Sequence, residues 1–315
     1  MFFAPRTLMN KVFLIAACIF FNQVLSAQPV VADPPLKKLK ILSWNIYMLP
    51  QFIASGSGKK NRADGIARQL ELSDYDIVVF QEAFHPMARK IIIERLKEKF
   101  PFHAGPANRR LISLKTNSGL LILSKYPILS LKSIRFQARA GVDALSRKGA
   151  LLIEVEMEGQ RIQIAGTHLQ NAGDANLRHR QCTELYQRLL QPNARAGVPQ
   201  IICGDFNIDK SRAGESYRFV LYSLDALDQL TAETGASYDR INNDLHVEGG
   251  DRQELIDYIL TRENGGQILR LNSAIRIIQE QWCKAHQDLS DHYSLEAEFL
   301  FSNAPSAALA SLRSN

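Results

Sequence analysis

Residues 199–207 read PQIICGDFN, and this stretch decides the fold class. An apolar run of this length between turn-forming residues is typical of a short, fully buried strand. Residues 39–45 (LKILSWN) and 76–82 (DIVVFQE) have the same form. Each of the three runs ends in an amide or an acid. The pattern therefore predicts buried strands whose polar ends can meet at one rim of a sheet.

Short strand patterns alternate with helical patterns along the chain. Apolar residues at helical spacing predict helices over Arg62–Leu72, Pro86–Phe100 and Ala175–Leu190. Residues 150–157 and 161–167 are joined across a glycine turn and predict an antiparallel hairpin, which disfavours a purely parallel sheet. We therefore expect an α/β fold with sheets packed face to face and covered by helices. The predicted strands are Leu39–Asn45, Asp76–Gln81, Gly119–Ser124, Ala150–Met157, Arg161–Thr167, Gln200–Gly204, Leu255–Leu260, Ile268–Ile278 and Tyr293–Phe301.

The composition of the 315 residues is that of an ordinary globular protein, with 46% hydrophobic and 22% charged residues. This excludes a disordered or collagen-like chain, and the length allows one large α/β domain or two smaller ones. The formal net charge of +6 is compatible with phosphate-bearing or anionic-membrane partners. The charges are dispersed, so they do not select one partner.

The N-terminus has the pattern of a secretory signal. Lys11 precedes the apolar run Val12–Phe21, and Ala27 is a small residue at the expected cleavage point. We predict a signal peptide over residues 1–27 and a secreted or periplasmic protein that begins at Gln28. Lipidation at Cys18 and a retained membrane anchor are the alternatives. The remaining cysteines, Cys182, Cys203 and Cys283, are odd in number and do not predict a disulfide framework.

Polar residues capable of chemistry recur where apolar strands end. They comprise an amide, an acid, a histidine and an Asp-x-Asn pair, and strand alternation places the two members of that pair on one face. Carboxylate and amide oxygens with few soft ligands suit Mg²⁺ or Mn²⁺, which in turn bind phosphate. These residues are Asn45, Glu82, His168, Asp205 and Asn207.

Each of these residues alone has an ordinary structural explanation. Asn and Asp after a strand often form turns, and an acid such as Glu82 often precedes a helix. Asp291 and His292 could merely cap the last strand. So many coincidences on one chain nevertheless favour a site.

Seven short motifs contain these residues. In chain order they are LSWN at 42–45, FQE at 80–82, SG at 118–119 with SKYPI at 124–128, GTHL at 166–169, GDFN at 204–207, IDYI at 256–259 and SDH at 290–292. In this order and spacing they resemble the endonuclease/exonuclease/phosphatase superfamily across residues 39–301. Within that superfamily, the chain is most similar to the secreted neutral sphingomyelinases (sphingomyelinase C) at NIYMLP (45–50), THLQ (167–170) and SDHY (290–293).

The resemblance implies a DNase I-like, four-layered α/β sandwich in which two packed mixed β-sheets are flanked by helices. We therefore place a catalytic domain at 38–302. A Pro-containing linker is expected at 28–37, and the small and polar residues 303–315 predict a flexible tail. The resemblance further implies sphingomyelin hydrolysis to ceramide and phosphocholine with Mg²⁺, or alternatively Mn²⁺ or Co²⁺, by in-line attack of a water molecule. Transient contact with a membrane surface follows from that substrate.

The resemblance also implies roles for individual residues. His292 is expected to be the general base, oriented by Asp257, and His168 to stabilise the phosphoryl oxygens or the leaving group. Glu82 is expected to be the principal metal ligand. The other expected residues of the metal site are Asn45, Asp205, Asn207 and Asp291, of which Asp205 and Asn207 also hold the nucleophile and the phosphate.

Two departures bear on the substrate. Membrane-attacking sphingomyelinases carry an aromatic hairpin shortly before the SDH segment, whereas only Tyr258 and Trp282 are aromatic between Asp257 and Asp291. In addition, residues 116–119 read TNSG where those enzymes have an acid before a glycine pair. The alternatives are a secreted nuclease, another phospholipid phosphodiesterase and a phosphoinositide phosphatase. A catalytically silent binding protein would require lost ligands, and none of the seven motif positions is missing.

Overall fold

The computed structural model describes residues 36–50, 57–107, 117–140, 146–171, 173–229, 235–246 and 250–314. The predicted signal peptide at 1–27 and all but the end of the predicted linker at 28–37 lie outside these ranges. Within these ranges, none of the helices has the length and apolar character needed to cross a membrane.

The described chain contains thirteen strands and five α-helices, and a π-helix (Tyr186–Leu190) and a 3-10 helix (Gln191–Asn193) follow the third α-helix. The strands are β1 (Lys37–Met48), β2 (Ile77–Ala83), β3 (Phe102–Ala104), β4 (Leu121–Ser124), β5 (Ile128–Arg135), β6 (Gly149–Met157), β7 (Gln160–His168), β8 (Gln200–Asp205), β9 (Tyr238–Asp239), β10 (Gln253–Glu254), β11 (Asp257–Arg262), β12 (Gln267–Arg276) and β13 (Ser294–Ser302). The helices are α1 (Lys59–Glu71), α2 (Pro86–Leu96), α3 (Ala175–Leu185), α4 (Gly214–Leu224) and α5 (Ala307–Ser314).

The strands form two large mixed sheets and one short ribbon. The first sheet has the order β12-β13-β1-β2-β4-β3, and the second has the order β11-β8-β7-β6-β5. Only β1 with β2 and β7 with β8 pair in parallel, and the other neighbours are antiparallel. The pair β9-β10 forms the ribbon. The predicted hairpin at 150–167 is confirmed as β6-β7.

Three apolar clusters hold these layers together. Between the sheets, Ile41 and Val79 of the first sheet pack with Ile164 and Cys203 of the second. Helices α1 and α2 cover the outer face of the first sheet, and α3 and α4 cover the outer face of the second. The fold is therefore the predicted four-layered α/β sandwich.

Because side chains alternate along a strand, the polar side chains at the strand ends lie on the face that points toward the other sheet. Ile41 lies in the central core, so Asn45, four residues further along β1, lies on the same face. An even spacing also places Asp205 on the same face as the core residue Cys203 in β8, and His168 on the same face as the core residue Ile164 in β7. The apolar pattern that builds the core therefore also places these side chains between the two sheets.

The structure differs from the sequence prediction in several elements. Strand β5 was not predicted because it is an edge strand with a single buried side chain and so lacks a regular apolar pattern. Helix α4 was overlooked, although Tyr217, Val220 and Leu224 on its buried face have helical spacing. The predicted flexible tail contains α5, because Leu309 is fully buried and Arg313 donates to the Ile268 carbonyl oxygen.

The cysteines of the described chain are unpaired. Cys182 and Cys203 are buried in the apolar layers, where they act as small hydrophobic residues. Burial raises the pKa of the Cys182 thiol to about 12, so this thiol stays protonated and unreactive.

Candidate active site

Side chains from both large sheets meet at one rim of the sandwich. Asn45 Nδ2 donates across the gap between the sheets to Asp205 Oδ2 at 3.1 Å. His168 pairs with Asp205 in the β7-β8 register, and Asp257 pairs with Asp205 in the β11-β8 register. All four residues are buried. The structure thus brings together polar residues that lie far apart in the sequence.

His292 and Asp257 form the hydrogen-bonded pair expected from the sequence. His292 Nδ1 lies 2.8 Å from Asp257 Oδ2, and its Nε2 lies 3.8 Å from Asp205 Oδ2. The backbone is held as well, because Trp44 Nε1 donates to the His292 carbonyl oxygen at 2.9 Å. With Nδ1 engaged by a carboxylate, Nε2 is the nitrogen free to exchange a proton.

The charge of His292 depends on the surrounding carboxylates. Burial alone lowers its pKa, but Asp257, Asp291 and Asp205 outweigh burial and raise the pKa to about 10. The imidazole is therefore protonated at neutral pH unless some other positive charge neutralises these carboxylates.

His168 has the opposite electrostatic state. Burial, followed by the positive charges of Lys148 and His292, holds its pKa well below the ordinary value of 6.5. Its Nε2 lies 3.1 Å from Lys148 Nζ and 3.3 Å from Asn207 Nδ2. Because both neighbours are donors, Nε2 accepts. The 3.4 Å approach of His168 Nε2 to Asp205 Oδ2 is therefore a contact with a neutral ring, not an ion pair.

Asn207 is held just beyond the end of β8. Its backbone N–H donates to Asp205 Oδ1 at 2.9 Å, and its Nδ2 donates to the Leu169 carbonyl oxygen at 3.1 Å. Its φ of 50° is in the left-handed region. The predicted Asp-x-Asn pair thus shares one local hydrogen-bond network.

Glu82 and Asp291 form a second, more strained part of the rim. Part of Glu82 reaches solvent, but its Oε2 is buried and has no hydrogen-bond partner among the described residues. Burial and the neighbouring Asp291 carboxylate raise the pKa of Glu82 to about 7. The φ angles of Tyr47 and Glu82 are 50° and 54°, which are unusual for residues other than glycine. Such strain is concentrated at functional sites.

Three residues of this rim, Lys148, Tyr238 and His246, were not predicted from the sequence. Lys148 is buried and also donates to the Leu169 carbonyl oxygen at 2.9 Å. The Tyr238 ring lies 5.0 Å from that of His292 and 4.8 Å from that of His246. Lys148 directly precedes an apolar strand, which was the available signal. Tyr238 and His246 lie in a segment without hydrophobic periodicity.

The donor set at the rim fits a hard divalent cation. Burial and nearby carboxylates raise the pKa of Asp205 to about 6 as well as that of Glu82, so positive charge here would be stabilising. Ligand atoms of Asp205, Asp257 and His292 also lie within 4.8 Å of one another. His292 and Asp257 already share a 2.8 Å hydrogen bond, so Asp205 is the member of this group that is left to bind a cation.

Two names are used below for the parts of the rim. We call His292, Asp257 and His168 the base side. We call Glu82, Asp291 and residues 45–47 the cation side, and Asp205 lies between the two.

Comparison with known proteins identifies the family. The model of the endonuclease/exonuclease/phosphatase family matches residues 42–292. The chain belongs to this family. The resemblance predicted from the seven motifs is thereby confirmed.

Proteins named phospholipase C and sphingomyelinase C match most of the chain. The chain is 26% identical to a Staphylococcus aureus phospholipase C over 82% of this chain and 86% of the relative. It is 24% identical to a Listeria ivanovii sphingomyelinase C over 92% of this chain and 94% of the relative. A Staphylococcus aureus beta toxin mutant with bound magnesium ions has the same fold, with a TM-score of 0.75 at 24% identity over 83% of this chain and 99% of that one. These similarities and the rim support a phosphodiesterase of this family.

Proposed function

We propose that the protein is a secreted, Mg²⁺-dependent phosphodiesterase that hydrolyses sphingomyelin to ceramide and phosphocholine. The observation that carries the proposal is the His292–Asp257 pair, whose free Nε2 lies 3.8 Å from Asp205 Oδ2. A proton acceptor is thus placed beside an oxygen-rich pocket. The names of the relatives support the lipid substrate.

The cation would be held at the cation side and by the Asp-x-Asn pair. When bound, Mg²⁺ (or Mn²⁺ or Co²⁺) would neutralise the carboxylates, lower the pKa of His292 and of a water molecule, and counter the charge of the phosphodiester. The residues that we assign to it are Glu82, Asn45, Asp205, Asn207 and Asp291.

His292 serves as the general base in this mechanism. Its Nδ1–H donates to Asp257, which fixes the tautomer and leaves Nε2 to remove the proton from the attacking water. Asp257 is itself oriented, because Ser237 Oγ accepts from its backbone N–H at 3.2 Å. The base is therefore aimed before the substrate binds.

The His168 region supplies hydrogen-bond donors. The buried Lys148 ammonium and the half-buried Asn207 amide both lie within hydrogen-bond distance of His168 Nε2. Donors that are largely shielded from water stabilise negative charge that develops on phosphoryl or leaving-group oxygens. We therefore place the scissile phosphate between this region and the cation side.

The segment before Ser290 bears on how the enzyme meets a membrane. Gln279 and Asp288 form a β-bridge, and Trp282 Nε1 donates to the Asp288 carbonyl oxygen at 2.9 Å. The Trp282 ring lies directly on Gly58, where an added Cβ would come within 2.1 Å of it. The segment is thus folded onto the protein instead of projecting. We expect only shallow, transient membrane contact and better cleavage of detergent-dispersed lipid than of intact bilayers.

A direct assay tests the proposal. Phosphocholine release should be measured from sphingomyelin in detergent micelles with Mg²⁺ and with EDTA, beside phosphatidylcholine and plasmid DNA as competing substrates. We expect release from sphingomyelin that EDTA abolishes. Undiminished turnover in EDTA would exclude the mechanism. DNA nicking at a comparable rate would favour a nuclease, and faster release from phosphatidylcholine would favour another phospholipid substrate.

Secretion is a separate part of the proposal and rests on the sequence of residues 1–27. N-terminal sequencing of exported protein should show a start near Gln28. Exported material that still began at Met1, or at Met9 if translation starts there, would contradict cleavage, and palmitate labelling at Cys18 would indicate a lipoprotein.

A further inference from the structure

Arg62 is a fully buried arginine beneath the cation side. It lies on α1 with 0% exposure. Its guanidinium donates to the carbonyl oxygens of Tyr47 at 2.7 Å, Leu289 at 2.9 Å and Ile46 at 3.1 Å, and its Nε donates to that of Ser57 at 2.9 Å. One side chain thus binds backbone from segments far apart in the sequence.

Two of these segments carry proposed cation ligands. Ile46 and Tyr47 directly follow Asn45, and Leu289 lies two residues before Asp291. Ser290 stands between Leu289 and Asp291 in the sequence, and its Oγ donates to the Asn45 carbonyl oxygen at 2.6 Å. Arg62 therefore joins the backbone behind one ligand to the backbone behind another.

The backbone that Arg62 holds is strained. Tyr47 has a φ of 50°, and a bulky residue keeps this conformation only where its surroundings enforce it. The guanidinium carbon also lies 5.7 Å from the centre of the Tyr47 ring. Helix α2 carries a comparable residue, because Arg89 donates to the carbonyl oxygens of Ala83 and Phe84, just after Glu82.

The charge of Arg62 alone does not explain its position. Burial lowers its pKa to about 10, so it remains charged at neutral pH. A fixed positive charge beside a cation site repels the cation. Coulomb's law therefore predicts that removing this charge would tighten cation binding, whereas loss of its hydrogen bonds would weaken binding by releasing the ligands.

We propose that Arg62 is a positioning residue of the cation site, and that its hydrogen bonds to the Tyr47 and Leu289 carbonyls set the spacing of Asn45 and Asp291. The inference rests on the proposed cation site but not on the identity of the substrate. It predicts that, when Arg62 is replaced, the loss of cation affinity from the broken hydrogen bonds exceeds the gain from the removed positive charge.

Calorimetric titration of the purified protein with Mg²⁺ or Mn²⁺ tests the inference. The variants are Arg62→Met, which removes charge and hydrogen bonds, and Arg62→Lys, which keeps the charge but cannot reach all the carbonyls. Arg270→Met is the matched control. Arg270 is also buried and donates to a backbone carbonyl, that of Ile259, but it pairs with Asp228, outside the rim residues.

We expect Arg62→Met to weaken cation binding by about 10- to 100-fold, the usual cost of losing a group that orients metal ligands. Arg62→Lys should show a smaller loss in the same direction, and Arg270→Met should lower the melting temperature without changing cation affinity. Tighter binding by Arg62→Met would show that the residue acts only by charge. Unchanged binding with a lower melting temperature would show a purely structural role. Either result would overturn the inference.

Two further outcomes separate this inference from the proposed function. If Arg62→Met does not fold, weaker binding by folded Arg62→Lys still supports the inference, and unchanged binding overturns it. Wild-type protein that binds the cation but does not cleave sphingomyelin would refute the substrate alone. Cleavage by the wild type together with unchanged cation affinity in both Arg62 variants would refute the positioning role alone.

Discussion

The base side and the cation side of the rim are built in different ways. On the base side, the reactive groups are held by strand register and by side-chain hydrogen bonds, such as the 2.8 Å bond between His292 and Asp257. On the cation side, Glu82 has a buried oxygen without a partner among the described residues, and the backbone at Tyr47 and Glu82 is left-handed. The base side also keeps buried atoms without a partner among the described residues, His168 Nδ1 and Asp257 Oδ1. What sets the cation side apart is therefore its left-handed backbone and the mutual repulsion of Glu82 and Asp291, which a cation would relieve.

The largest expected effect comes from removing the base. His292→Ala should lower kcat by about 100- to 10,000-fold, the usual contribution of general acid–base catalysis. Cation affinity measured by calorimetry should not fall, because His292 is not among the proposed cation ligands and its protonated ring, 3.8 Å from Asp205 Oδ2, opposes cation binding. A variant with near-normal turnover would refute the assignment, and His168→Ala would then be the variant to measure.

A smaller effect is expected from disturbing the base without removing it. Asp257→Asn should reduce kcat by more than about ten-fold but less than His292→Ala does, since the imidazole remains but is wrongly held. Because the Asp257 carboxylate raises the pKa of His292, its removal should move the acidic limb of the kcat–pH profile to lower pH. An unmoved limb would show that His292 is not the group that titrates.

The smallest effect concerns the stability of the cation side in EDTA. The folded-state pKa of Glu82 is raised from 4.5 to about 7, so the folded state binds the proton more tightly than the unfolded state does. Stability should therefore fall as pH rises from about 4.5 to about 7 and stay low above it. Glu82→Gln should lack this part of the pH dependence. The measurement is the melting temperature of the wild type and of Glu82→Gln across this pH range. If the melting temperatures of the two proteins changed with pH in parallel, the Glu82 carboxyl would not have the raised pKa expected from its burial beside Asp291.

The site residues that strand patterns predicted lie at the ends of regular strands. Asn45, His168 and Asp205 follow apolar runs in which alternate residues face the core, so their place on an inner face follows from the period of a strand. Glu82 already departs from this rule, because its left-handed φ breaks the alternation at the end of β2. Its position could be proposed from the family motif but not from the period.

There is a physical reason why the sequence did not point to Lys148, Tyr238 and Arg62. A lysine before a strand or an arginine on a helix usually points to solvent, and only packing decides whether it is buried. Arg62 is buried because backbone carbonyls from the ends of β1 and from the segment before β13 converge on it. Such convergence depends on contacts between residues more than 200 positions apart, as between Arg62 and Leu289.

The sequence by itself determined the two-sheet α/β architecture, the order of its motifs and the residue types that the chemistry needs, because strand periodicity and strand-end polarity are local properties. The tertiary structure alone decided how charge is distributed among those residues. Histidines 168 and 292 are similar in sequence context, each at the edge of an apolar strand, yet Lys148 helps to keep the first neutral, and three carboxylates raise the pKa of the second to about 10. Electrostatic interactions are set by distance and burial, which are established only when the sheets pack.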